Sequence, residues 1–140
     1  MPKIVLKDAF IKIDSTNLSD HISSVTLEDS ADEVEFTSFG ANYREYGQGL
    51  KTASITLEVF QDFAASSVDS VLEPLYSSGG TFTVEVRPTS SAVSATNPKY
   101  TMTGRLFSYS PLQGAVGDAN TTSVTINNAG TAGLVRGTTA

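Results

Sequence analysis

Surface chemistry needs particular side chains held close together, and a few stretches of this chain carry the right types. Glu58 and Glu85 are outward carboxylates on two predicted strands. Two acids at a suitable separation are the machinery of glycoside hydrolysis. The run EDSADEVE places Glu28, Asp29, Asp32, Glu33 and Glu35 close together, a density of carboxylates that suits calcium. His21 is the single histidine. Gly47-Gln48-Gly49 carries part of a phosphate-cradling pattern.

Each of these has a plainer reading. A calcium loop wants a glycine at its sharp turn and ligands at alternate positions. The acidic run has neither and reads as a solvated hairpin tip. His21 follows a polar turn and reads as a surface residue. The glycine pair lacks the third glycine and the preceding strand. Glu58 and Glu85 read either as paired acids or as ordinary outward acids on solvated strands, the commoner arrangement. There is no cysteine, hence no thiol nucleophile, thiolate zinc site or disulfide. No serine stands in a GxSxG elbow. The sequence therefore predicts no enzyme, no cofactor and no metal.

The elements that would position these residues are mostly strands. One hundred and forty residues suit one domain with its own core. Fifteen acids against nine bases give a net charge of −6. That argues against ordinary nucleic-acid binding, in which Lys and Arg neutralise phosphates. No apolar run approaches a membrane span and no secretory signal is read, so no membrane partner is expected. Thr, Ser, Val and Gly are abundant, which favours strands and loops.

Residues 51–60 show the cleanest alternation. Ala53, Ile55, Leu57 and Val59 face inward between Thr52, Ser54, Thr56 and Glu58. Phe82, Val84 and Val86 alternate with Thr83, Glu85 and Arg87 in the same way. Between these two strands Val68, Val71, Leu72, Leu75 and Tyr76 form one helical face. Ser66 or Ser67 can cap that helix, Pro74 is expected to end or kink it, and Gly79-Gly80 stops it. The spacing predicts further strands near residues 10–14, 22–29, 34–37, 99–110 and 121–127. SADE is expected to turn the chain between the second and third of these, and Gly104 to mark a bulge in the fourth. The order of strands, helix and strands, without a βαβ rhythm, predicts a mainly β fold. Its expected form is an antiparallel β-sandwich or partly closed barrel with one short flanking α-helix. The domain is expected over residues 1–128, with a flexible or partner-docked tail over 129–140.

Residues 38–50 read as a long irregular loop broken by Gly40, Gly47 and Gly49. Phe39, Asn42, Tyr43, Arg44 and Tyr46 lie in it. Aromatics and arginine are the anchors of protein interfaces. The alternative is a loop whose aromatics fold back on the core.

Four segments follow in a specific order: GLKTASITLEVFQDF, AASSVDSVLEPL, VEVRPTSSAVSATNPKYTMTG and SPLQGAVGDANTTSVTI. Over residues 25–128 this series resembles the tail tube (major tail) proteins of siphophages. The resemblance implies a virion protein that is assembled in the host cytoplasm. Six copies would form a ring and rings would stack into a tube. Genomic DNA would pass through without specific binding. It also implies partners: further copies of the chain, a tape measure protein and a tail terminator. The loop residues Phe39, Asn42, Tyr43, Arg44 and Tyr46 match, by position, the loop that contacts adjacent subunits or rings. Thr56, Glu58, Thr83 and Glu85 become candidates for the wall of the bore, where an acidic surface would repel DNA. The alternatives are a virion decoration or carbohydrate-binding attachment module, and a small hydrolase using paired carboxylates.

Overall fold

The structure, a computed structural model, describes residues 3–139. The strands are β1 Phe10–Ile13, β2 Thr16–Asn17, β3 Ile22–Glu35, β4 Tyr46–Phe60, β5 Phe82–Arg87, β6 Lys99–Leu106, β7 Thr121–Asn128 and β8 Val135–Gly137. The helix α1, Val68–Ser78, lies between β4 and β5, and a 3-10 turn, Ser19–His21, leads into β3. Every pairing is antiparallel, in the order β2-β1-β5-β6-β7-β4-β3. Strand β6 divides one of its edges between two neighbours. Gly104–Leu106 pairs with β7, and Lys99–Thr101 pairs with β8. The sheet is not closed. The expected mainly β, sandwich-like class with a single α-helix is the one found.

Alternation builds the core. Ile11, Ile13, Ile55, Leu57, Val59, Val84, Met102, Val124 and Ile126 all point inward and are buried. Helix α1 closes this layer with Val68 and Leu72 fully buried and Val71 and Leu75 packed beside them. Isolated, an 11-residue helix is marginal in water, so this packing holds it. Ser67 is the N-cap residue, but its hydroxyl donates to Asp62 Oδ2 at 2.8 Å rather than accepting from the helix. Pro74 neither ends nor stops the helix, which runs on to Ser78. Its ring is exposed, so only one backbone hydrogen bond is forfeited. Gly79 then closes the helix at φ 66°, a left-handed conformation that glycine takes without strain.

Three predicted elements differ. SADE does not turn the chain: β3 is one 14-residue strand through it, paired with the 15-residue β4. The stretch has no glycine to favour a tight hairpin turn. The register instead shifts between Ala31 and Glu33, so the extra β4 residue is absorbed as a bulge. The predicted strand 99–110 ends at Leu106, leaving Phe107 two-thirds exposed. Beyond it Tyr109 donates its hydroxyl to Asp69 Oδ1 at 2.7 Å and accepts from Gln61 Nε2 at 2.8 Å. These bonds tie the segment to α1 and to the residue that follows β4, and partial burial pushes the phenol up to about 12. Finally, the expected loose or partner-docked tail is anchored on its own chain. Leu134 packs against the core and Val135–Gly137 pairs with β6.

Candidate assembly interface

The β3–β4 pair outruns the rest of the sheet. β7 supports β4 only from Ser54 to Phe60. Residues 31–51 therefore project as a two-stranded arm, closed by a turn segment over 36–45. The predicted loop is shorter than expected, because Tyr46, Gly47 and Gly49 are strand residues. Their glycines are required by what lies over them. A Cβ on Gly47 would overlap the Phe36 ring, and one on Gly49 would stand 2.9 Å from Val34 Cγ2. Cross-strand cover of glycine by an aromatic ring pins register in the same way in designed sheets. The glycines make room for these side chains, whose alternation with Glu33 and Glu35 was the available signal for a longer strand.

At the tip the Phe36 amide donates to Glu45 O at 2.8 Å, and the Glu45 amide donates to Thr37 Oγ1 at 2.9 Å. Phe39 and Tyr43 are almost wholly exposed, at 108% and 88%. Tyr46 is half exposed, Leu50 stands in solvent, and Asn42 is exposed. Arg44 comes within 4.0 Å of Glu35 across the arm, both side chains being exposed. Such a pair contributes little by itself. The predicted set Phe39, Asn42, Tyr43, Arg44 and Tyr46 thus sits together on one protrusion, and none of the aromatics folds back on the core. The sequence reading missed Val34, Phe36 and Leu50, which add to the same exposed surface. It also placed the acidic run at a hairpin tip. Glu28, Asp29, Asp32, Glu33 and Glu35 instead line β3, with Asp32, Glu33 and Glu35 in the arm itself.

The second predicted set lies on the outer face of the sheet. Registered rows cross it: Thr26–Thr56–Thr125, Ser24–Glu58–Ser123 and Glu28–Ser54–Asn127–Arg105. Thr83 faces Thr103, and Glu85 faces Thr101 on one side and Lys12 on the other. Glu58 accepts a hydrogen bond from the Ser123 hydroxyl. Glu85 accepts from Arg87 Nε at 2.7 Å, and the Arg87 guanidinium stacks 4.3 Å from the Phe10 ring centroid. Its charge is therefore compensated, unlike that of Glu58. Strands β6 and β7 separate the two acids. Three strand spacings correspond to about 14 Å, beyond the roughly 5–9.5 Å of glycosidase pairs. The structure does not bring these carboxylates together as a hydrolytic pair.

His21 is less exposed than a plain surface histidine. Its Nδ1 lies 2.9 Å from Asp20 Oδ1 and its Nε2 lies 3.0 Å from Asp62 Oδ2. The bond to Asp20 leads in raising its pKa from 6.5, with Asp62 adding to it and burial opposing. Asp62 is lowered from 3.8, chiefly by the Ala64 amide and then by the Ser67 hydroxyl. Here the carboxylate, not the imidazole, stands between the other two groups, so no serine is activated. Among the described residues no group of three or more His, Asp or Glu side chains is placed to hold a metal ion. Among the described residues no helix is long and apolar enough to cross a membrane.

No protein-family model matches this chain, and no curated protein does. Solved structures do. A chain in the virion of a native gene transfer agent particle superposes with a TM-score of 0.72 at 18% identity, covering 95% of this chain and 96% of that one. A chain in the tail of an empty gene transfer agent particle, determined with helical refinement and C6 symmetry, gives a TM-score of 0.66 at 17% identity. That match covers 86% of this chain and 83% of the other. The protein shares their fold. The coverage in both directions means that the arm-bearing sheet and its helix match as a whole and not as a local motif.

Proposed function

We propose that the protein is a structural subunit of a phage-type tail, a tail tube (major tail) protein that assembles with itself. The observation that carries this reading is the fold match, over most of both chains, to a subunit of a C6-symmetric tail. The arm supports it. A two-stranded ribbon is marginally stable alone in water. This one exposes Phe36, Phe39, Tyr43, Tyr46 and Leu50, a composition that suits an interface anchor. In this reading six copies close a ring, rings stack, and DNA slides through the bore toward the host. Its further partners in this reading are a tape measure protein and a tail terminator, and the subunit works in the virion without catalysis.

The outer sheet face is the proposed bore wall. Its Thr and Ser rows present hydroxyls to water, and Thr56, Glu58 and Thr83 carry no opposing cation in register. Glu58 is the stronger candidate for repelling phosphates, because Arg87 already neutralises Glu85. Electron microscopy of the purified protein across a range of concentrations tests the whole reading. Rings and stacked tubes are expected. Persistent monomers at high concentration would sink it in favour of a decoration module.

A further inference from the structure

Charge is segregated along this chain. From Glu28 to Lys51, six acids face two bases, Arg44 and Lys51, a balance of −4. From Lys3 to Lys12, three lysines face one acid, Asp8, a balance of +2. The basic stretch borders a trough with a polar and an apolar half. Residues 4–9 run beside β3 and leave two adjoining clefts of about 290 and 230 Å³ that share Leu6, Ala9 and Val25. The second is apolar and lined by Leu27, Val86 and Tyr100, whereas the first is lined by Lys7 together with Ser19, Ser23 and Ser24. Ile4, Val5 and Leu6 are exposed at 71%, 74% and 58%.

We infer that this trough receives the aromatic tip of the arm from a second copy of the chain. The inference rests on the assembly reading above and adds to it the surface that accepts the arm. Three observations select that occupant. The second cleft is almost wholly apolar and the tip is aromatic, so each covers what the other exposes. The stretch along the trough is basic, with Lys7 lining the first cleft and Lys3 next in sequence to Ile4 of the second, and the arm is acidic, so Lys3 and Lys7 of one copy meet Glu33 and Glu35 of another. A protein's own tip cannot fill its own trough, because Leu27 and Phe36 lie nine residues apart on one strand, roughly 30 Å. The contact is therefore between unlike surfaces of two copies. Such head-to-tail contacts propagate into closed rings or filaments rather than stopping at a dimer.

Crosslinking and charge exchange test this. With Tyr43 replaced by benzoyl-phenylalanine, irradiated assemblies should give crosslinks between copies that map to residues 4–9 or 86–100. Lys3→Glu with Lys7→Glu should abolish tubes while leaving the urea midpoint of the monomer unchanged, since both side chains are exposed. Adding Glu33→Lys and Glu35→Lys should restore the tubes. Tubes whose crosslinks map elsewhere, or whose loss the exchange does not repair, overturn the trough as receiver and leave the assembly reading standing. Unmodified protein that never forms rings or tubes overturns that reading itself.

Discussion

Phe36 lays its ring directly over Gly47, across the two strands of the arm. Any side chain at position 47 must displace that ring, so this glycine holds the arm's register. Gly47→Val should free Phe36 and open the arm while sparing the core, none of whose residues it touches. Amide exchange over residues 33–36 and 45–48 should accelerate, with exchange at Ile55 and Leu57 unchanged. Assembly should be lost with it. Protection of the arm equal to that of the unmodified protein would show that the ring is not what holds it.

Replacing residues 36–45 by Asn-Gly removes the tip and keeps a turn suited to a two-residue hairpin. The shortened protein should remain folded, with an unfolding midpoint within a few degrees of the original, yet stay monomeric in sedimentation at concentrations where the full chain forms tubes. Tubes formed by the shortened chain would remove the arm from the interface.

Thr122 is fully buried on the inner face of β7, and its hydroxyl finds no partner among the described residues. A buried hydroxyl without a hydrogen bond costs about 1–3 kcal/mol. Thr122→Val keeps the branched shape and removes that cost. It should raise the urea midpoint by an amount equivalent to about 1 kcal/mol without changing the slope. By contrast, Leu72→Ala empties a fully buried site under α1 and should cost about 2–5 kcal/mol.

The His21 bridge should make stability depend on pH in a definite direction. Its folded pKa stands above 6.5 because Asp20 and Asp62 favour the charged ring. The stabilisation is therefore complete below 6.5 and is lost as pH rises through the elevated folded value. Asp62 runs the other way. It is held below 3.8, so its contribution is present above that value and fades as pH falls through the folded one. Urea titrations of the protein and of His21→Gln should differ most on the acid side of neutrality and converge in mild alkali. A difference that grows with pH would mean the imidazole is held neutral.

The readable parts of the fold are those where burial imposes a period. Ala53 to Val59 and Phe82 to Val86 are buried on one face only, so their alternation gave both strands correctly. The α1 stripe was readable for the same reason, although Pro74 misled about its end because an exposed ring costs one bond and no packing. The arm was harder to read. Once β3 and β4 leave the body, neither face is buried, and alternation loses its cause. Acids then look like a hairpin tip and glycines like a loop, and only the diagonal cross-strand contacts of Phe36 with Gly47 and of Val34 with Gly49 reveal the ladder. The exposed cluster of Phe39, Asn42, Tyr43, Arg44 and Tyr46 was still legible, because their types do not depend on where the strand ends. Glu58 and Glu85 looked equivalent in sequence. Yet Arg87, two residues along the same face, already stands beside Glu85 in the sequence, whereas only the fold brings Ser123 against Glu58.

Because β3 and β4 run from the body into the arm without a loop between them, the arm is a lever and not a tether. A push on the tip travels along two hydrogen-bonded backbones into the row Thr26–Thr56–Thr125. The bulge between Ala31 and Glu33 is the joint at which that push can be turned aside. In a stack of such subunits, stiffness at this joint would govern how bending of the whole is shared among its members.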